Sequence, residues 1–130
     1  MAIDLGLKRI GLAFSHDGKL VLPLDPIMRK NRNQAASDLM NRMSEYRTTH
    51  LVVGIPIGGS SEDEMRRRAE HFVKLLSDDL MVSYQDEAFS SYEAYEENKT
   101  RLKSSKDGKL DSLSAVKILE RFLAKQLVSS

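Results

Sequence analysis

The sequence predicts an α/β fold in which an antiparallel three-strand meander comes first and β-α crossover units follow, with helices flanking a mixed sheet. Three observations carry this. The first 24 residues alternate bulky with small or polar side chains at the two-residue period of strands. The run 51–57 is continuously apolar, as a buried parallel strand is, and 82–85 is a second short strand after it. The stretches between and after them repeat apolar residues at the 3.6-residue period of helices.

Strand 1 lies in Ala2-Ile3-Asp4-Leu5, where Ile3 and Leu5 share one face and Asp4 takes the other. From Ile10 to Ser15, Ile10, Leu12 and Phe14 alternate with Gly11, Ala13 and Ser15, giving a strand with one bulky and one small face, joined to strand 1 by a hairpin. His16-Asp17-Gly18-Lys19 is a turn signal, and Leu20 to Leu24 continues as a third strand that Pro23 places at a sheet edge. Asn33 is expected to cap a helix that carries Ala36, Leu39, Met40 and Met43 on one face. Leu51 to Ile57 is a strand closed by Gly58-Gly59. Ser61 with Glu64 reads as a capping box for a helix lined by Met65, Ala69, Phe72, Val73 and Leu76. Val82 to Gln85 is a short strand ending at Asp86-Glu87. Ser90 with Glu93 opens a further helix to about Leu102, and a last helix covers about Lys109 to Leu127.

At 130 residues the chain is expected to form one domain, 1–130, large enough to bury a sizeable core. With 41% hydrophobic and 30% charged residues it reads as an ordinary globular protein rather than a disordered one. The absence of Cys excludes a disulfide scaffold and a thiolate metal site, so a metal here must be held by oxygen or imidazole. No apolar stretch approaches the ~20 residues of a membrane span and no leader pattern opens the chain, so a cytoplasmic protein is expected. The net charge of +1 hides opposed segments. Residues 77–97 hold seven acids and no Lys or Arg, whereas 98–130 hold eight basic and three acidic residues. Much of the basic excess lies in Lys99, Arg101, Lys103, Lys106 and Lys109, in a polar stretch that reads as a loop.

Asp4 interrupts a strand between apolar neighbours, and a carboxylate there needs a charge partner. Asp111 shares a helical face with Ala115, Ile118 and Phe122, so it extends an apolar stripe, which an acid placed only for the helix dipole has no reason to do. Asp86 and Glu87 end a strand that the crossovers make parallel to its neighbour, and functional groups gather beyond such ends. Only one of the two can point inward, and spacing does not choose between them. Three converged acids would form an all-oxygen site suited to Mg²⁺ or Mn²⁺, whose chemistry is water activation and leaving-oxygen stabilisation on a phosphodiester. An ion-pair network, with Lys8 and Arg9 as partners of Asp4, is the structural alternative.

The segment Asp4-Leu5-Gly6-Leu7-Lys8-Arg9-Ile10-Gly11-Leu12-Ala13-Phe14-Ser15 resembles the opening motif of the YqgF/RuvX family of Holliday junction resolvases and pre-16S rRNA nucleases. Val52-Val53-Gly54-Ile55-Pro56 is similar to its central strand motif. Asp86-Glu87-Ala88-Phe89-Ser90-Ser91 is similar to its Asp-Glu motif, and Lys109-Leu110-Asp111-Ser112-Leu113-Ser114-Ala115-Val116-Lys117-Ile118-Leu119 to its closing helix. The four motifs occur in order over nearly the whole chain. The resemblance implies an RNase H-like fold and a Mg²⁺- or Mn²⁺-dependent endonuclease. It maps the catalytic, metal-holding acids to Asp4, Glu87 and Asp111, and it puts Lys8, Arg9, Lys103, Lys106 and Lys109 against nucleic acid. The implied partner is pre-rRNA or branched DNA, not a membrane, with the chain a monomer or homodimer. The alternative is a non-catalytic RNA-binding factor of ribosome maturation on the same fold.

Overall fold

A computed structural model describes residues 1–87 and 112–129, with side chains described through residue 126. The elements are β1 (Ala2–Leu5), β2 (Arg9–Phe14), β3 (Leu22–Met28), α1 (Arg32–Glu45), β4 (His50–Ile55), α2 (Glu62–Val73), β5 (Met81–Asp86) and α3 (Leu113–Ser129). They form a five-stranded sheet in the order β3-β2-β1-β4-β5. β1 pairs antiparallel with β2 and β2 with β3, while β1, β4 and β5 run parallel. This is the meander followed by crossovers that the alternation pattern predicts, and it agrees with an RNase H-like fold. The helix expected from Ser90 to Leu102 lies outside the described residues.

The sheet has two unlike faces because β2 does. Ile3, Ile10, Leu12, Leu51, Val53 and Ile55 are buried against Ala35, Leu39 and Met43 of α1 and Ala69 and Phe72 of α2. The opposite face carries Ala2, Ala13 and Val52 under Ala115, Ile118 and Leu119 of α3. Small strand residues there let α3 approach the sheet closely, and full burial of Ile118 is worth roughly 2 kcal/mol of apolar transfer. The apolar stripe of the last helix is therefore borne out at Ala115 and Ile118, with Phe122 half-buried beside them.

Four local expectations are corrected. The helix cap is Asn31, not Asn33: the Asn31 side chain accepts from the Gln34 N–H at 2.7 Å and Gln34 returns the bond to the Asn31 N–H, a reciprocal box that Asn33 with Ala36 cannot make. Ser61 makes no side-chain cap, and its backbone is not extended; Glu62 instead reaches back to accept from the Gly58 N–H at 2.6 Å. β3 begins at Leu22 and runs on to Met28, because an edge strand tolerates both Pro23 and Pro26 without losing inner-ladder donors. β4 ends at Ile55 rather than Ile57, since Pro56 has no N–H and the Ile57 N–H turns to the Asp86 carboxylate.

Between Ile10 and Leu12 the β2–β3 register shifts: Ile10 opposes Ile27, but Leu12 opposes Leu24, so β3 carries one extra residue. The Ser112 hydroxyl enters this irregularity from the position just before α3. It accepts from the Leu12 N–H at 3.1 Å and donates to the Leu24 carbonyl at 2.6 Å, fully buried. Ser112→Ala would leave two buried main-chain groups unpaired. It is expected to cost about 1–3 kcal/mol, read as a lower denaturant midpoint at unchanged slope.

Candidate active site

β1 is central in the sheet, and its side chains alternate between faces, so Asp4 emerges on the α3 side, opposite Gly11 of β2. Asp4 thus takes the face opposite Ile3 and Leu5, as the strand period predicts, and stands beside the small residues of β2. Glu87 follows β5 directly, and its N–H donates to the Ile55 carbonyl at 2.9 Å, which extends the parallel ladder by one bond. That bond fixes the Glu87 backbone one strand beyond β4, and the side chain returns across β4 to Asp4.

The space it crosses is supplied by Gly54. A Cβ built on Gly54 would overlap Ile118 Cδ1 and lie 3.1 Å from Glu87 Oε2. A residue with any side chain there would compete with both the α3 packing and the Glu87 carboxylate. In the sequence Gly54 stands out only as a member of the Val52–Pro56 strand motif, whereas its role is this close approach.

The Glu87 carboxyl is pushed up to about 8. Burial is the largest cause, followed by the negative charge of Asp4, a hydrogen bond with the Asp4 side chain and the charge of Asp86. Two carboxyl groups can share a hydrogen bond only if one of them keeps a proton, so the pair holds a proton well into the neutral range. Glu87 Oε2 is buried and has no hydrogen-bond partner among the described residues. A buried acceptor with an unused lone pair, beside a second carboxylate, is a donor set that a hard cation satisfies and that apolar packing does not.

Asp86 is placed differently. Its Oδ1 accepts from the Ile57 N–H at 3.3 Å, bracing the turn after β4. It acts on Glu87 through its charge, whereas Glu87 is the acid in contact with Asp4.

Lys8 and Arg9 are exposed in the β1–β2 hairpin, which closes through the Gly6 N–H donating to the Arg9 carbonyl at 3.0 Å. With Asp4, Gly6, Leu7 and Gly11 they line a cleft of about 340 Å³. Two cationic side chains and one of the paired acids thus open onto the same cleft. Asp111, Lys103, Lys106 and Lys109 lie outside the described residues, and among the described ones no group of three acidic or His side chains is assembled for a metal. The chain position next to Asp111 is Ser112, pinned as above to β2 and β3. Sequence reasoning passed over Ser112; the signal was a hydroxyl next to an acid at the start of an otherwise apolar stripe.

Residues 1–125 match the family model RuvX, Holliday junction resolvase. A protein of Sulfurovum sp. (strain NBC37-1) is 54% identical over 123 residues, covering 95% of this chain and 96% of its own. One from Campylobacter lari is 52% identical over 122 residues, covering 94% of each chain. One from Helicobacter hepaticus is 42% identical over 132 residues, covering 97% of this chain and 95% of its own. All three carry the name "Putative pre-16S rRNA nuclease". The resemblance read from four sequence motifs therefore extends over nearly the full length, and the chain belongs to the RuvX family of Holliday junction resolvases, nucleases by class.

Proposed function

We propose that this chain is a divalent-metal-dependent endonuclease that hydrolyses phosphodiester bonds in structured nucleic acid, and that its substrate is the 5′ precursor region of pre-16S rRNA. The observation that carries the reading is the contact between the Asp4 and Glu87 carboxyl groups, with Glu87 Oε2 buried and without a hydrogen-bond partner among the described residues. The substrate assignment rests on the shared name of the relatives. The whole of 1–130 acts as one nuclease domain, in the cytoplasm, where ribosomal RNA is made.

In this reading Asp4, Glu87 and Asp111 hold Mg²⁺ or Mn²⁺, whose oxygen preference suits three carboxylates. When bound, such ions supply water activation and neutralise charge on the leaving oxygen. The protein's own residues do the rest. Lys8 and Arg9 draw a backbone phosphate into the cleft beside Asp4, and Lys103, Lys106 and Lys109 add charge along the strand. Glu87, held by its backbone bond to Ile55 and by the gap at Gly54, keeps its carboxylate against Asp4 and sets where the reacting phosphate sits. Ser112 anchors the start of α3, next to Asp111 in the chain.

The test is Mn²⁺-dependent cleavage of a 5′-labelled pre-16S fragment and of a four-way DNA junction by wild type and Asp111→Asn. The expected result is cleavage of the RNA, more slowly of the junction, with at least ~10²-fold loss in the variant. Preference for the junction would move the substrate to DNA. Binding without cleavage of either, equal in both proteins, would make the chain an RNA-binding maturation factor.

A further inference from the structure

Three arginines meet beyond the C-terminal ends of β1 and β4, on the sheet face opposite α3. Arg29 follows β3, Arg32 opens α1 and Arg68 lies on α2; together with Leu5, Gly54 and Ile55 they line a water-sized pocket of about 20 Å³, so an anion would meet the guanidinium groups at its rim rather than inside it. Among the described residues no acidic side chain lines it, and none of the three arginines is paired with a carboxylate. Arg29 is half-buried, with its Nη1 donating to the Gly6 carbonyl at 3.1 Å, and Arg68 is half-buried with Nη1 3.7 Å from Met65 Sδ. The first turn of α1 holds no acid and begins with Arg32, so a cation stands where the helix dipole disfavours one.

Each of these placements is unfavourable to the folded protein alone. Arg29 is held below the usual arginine range by burial first and then by repulsion from Arg68 and Arg32. Three crowded guanidinium groups and a helix N-terminus, with no counter-charge among the described residues, become favourable together when an anion docks against them. The pocket is joined to the acid site by two short links. Arg29 bonds the carbonyl of Gly6, which also lines the Asp4 cleft, and Gly54 lines the arginine pocket while leaving room for Glu87 on the other face.

We propose that the rim of this pocket, formed by Arg29, Arg32 and Arg68, is a second phosphate-binding site, which grips the backbone of the substrate strand after it crosses the ends of β1 and β4 from the Asp4–Glu87 cleft. The inference rests on the nuclease reading and adds to it a direction: the strand runs from the α3 face, over the ends of β1 and β4, to the α1–α2 face. Recognition is of phosphate rather than base, since guanidinium forks match phosphate oxygens and, among the described residues, the only aromatic lining is buried Phe72.

The test is the affinity of a labelled single-stranded RNA, measured by fluorescence anisotropy across a salt series in Ca²⁺ buffer. Arg32→Gln with Arg68→Gln is compared with Arg67→Gln with Lys74→Gln, which removes two charges from exposed positions outside the pocket. The pocket pair is expected to bind at least ~10-fold more weakly and to reduce the salt slope by ~1 to 2, against less than ~3-fold for the control pair. Arg32 is exposed, so the single Arg32→Gln variant carries the test if the pair fails to fold. Equal effects of pocket and control pairs would overturn the pocket and leave the nuclease reading standing. Failure of the wild type itself to bind RNA would remove both.

Discussion

Glu87→Gln is expected to make the metal-free protein more stable at pH 9 while removing its nuclease activity. In the folded chain Glu87 is pushed up to about 8 by burial and by Asp4, against an ordinary value near 4.5. The fold therefore favours the protonated carboxyl. That favourable contribution is fully present below the ordinary value, and it is lost as pH rises through about 8, because the folded chain must then charge a buried group beside another carboxylate. Glutamine imitates the protonated form at every pH. The gain over wild type should be near zero at pH 4, grow through the neutral range and level off above pH 9. Discounted for partial exposure, it is on the order of 1–3 kcal/mol. On the proposed metal-holding role, loss of this carboxylate should cost more than the ~10–100-fold typical of outer partners. Urea melts at pH 5, 7 and 9 alongside cleavage assays read both effects. A variant no more stable than wild type at pH 9 would mean that Glu87 is not held against its own charge.

Gly54→Ala is expected to damage stability and activity by separable routes. The new Cβ overlaps Ile118 Cδ1 and stands 3.1 Å from Glu87 Oε2, so both neighbours must give way. Overpacking of this kind costs about 1–3 kcal/mol. Displacing the carboxylate by even ~1 Å can cost ~10²-fold in rate. Adding Ile118→Val removes the overlapping Cδ1 and should recover most of the stability. It does nothing for the Glu87 contact, so activity should stay low. Recovery of activity together with stability in the double variant would show that Gly54 serves α3 packing alone.

The fold was legible because local pattern and tertiary environment agree. Ile10, Leu12 and Phe14 against Gly11, Ala13 and Ser15 announces a strand with one bulky and one close-packed face, and among the described residues α1 and α2 pack on the first and α3 on the second. The errors came where two similar signals compete over a few residues. Asn31 and Asn33 are both good caps, and only the Gln34 partner separates them. Ser61 and Glu64 have capping-box spacing, but Gly58, with φ of 86°, turns its N–H toward Glu62 and the box is not made.

The acid site was legible in part. Asp4 stood out because it breaks an apolar strand, and its place follows from strand period alone. The choice between Asp86 and Glu87 was not available from spacing, since one residue of register decides which carboxylate faces Asp4 and which braces a turn. Ser112 and the arginine pocket were hidden for a different reason. Their partners are 88 and 100 residues away in one case and spread over three elements in the other, and no local period encodes such meetings.

The central claim is that Asp4 and Glu87 are held together, sharing a proton, at the place a divalent cation takes. Calorimetric titration of Mn²⁺ into the metal-free protein at pH 7, in buffers of different ionisation enthalpy, measures binding and proton release at once. Wild type should bind Mn²⁺ with release of about one proton, and Asp4→Asn should lose both the affinity and the release. Mn²⁺ binding that releases no proton and survives Asp4→Asn would place the metal elsewhere and contradict the account.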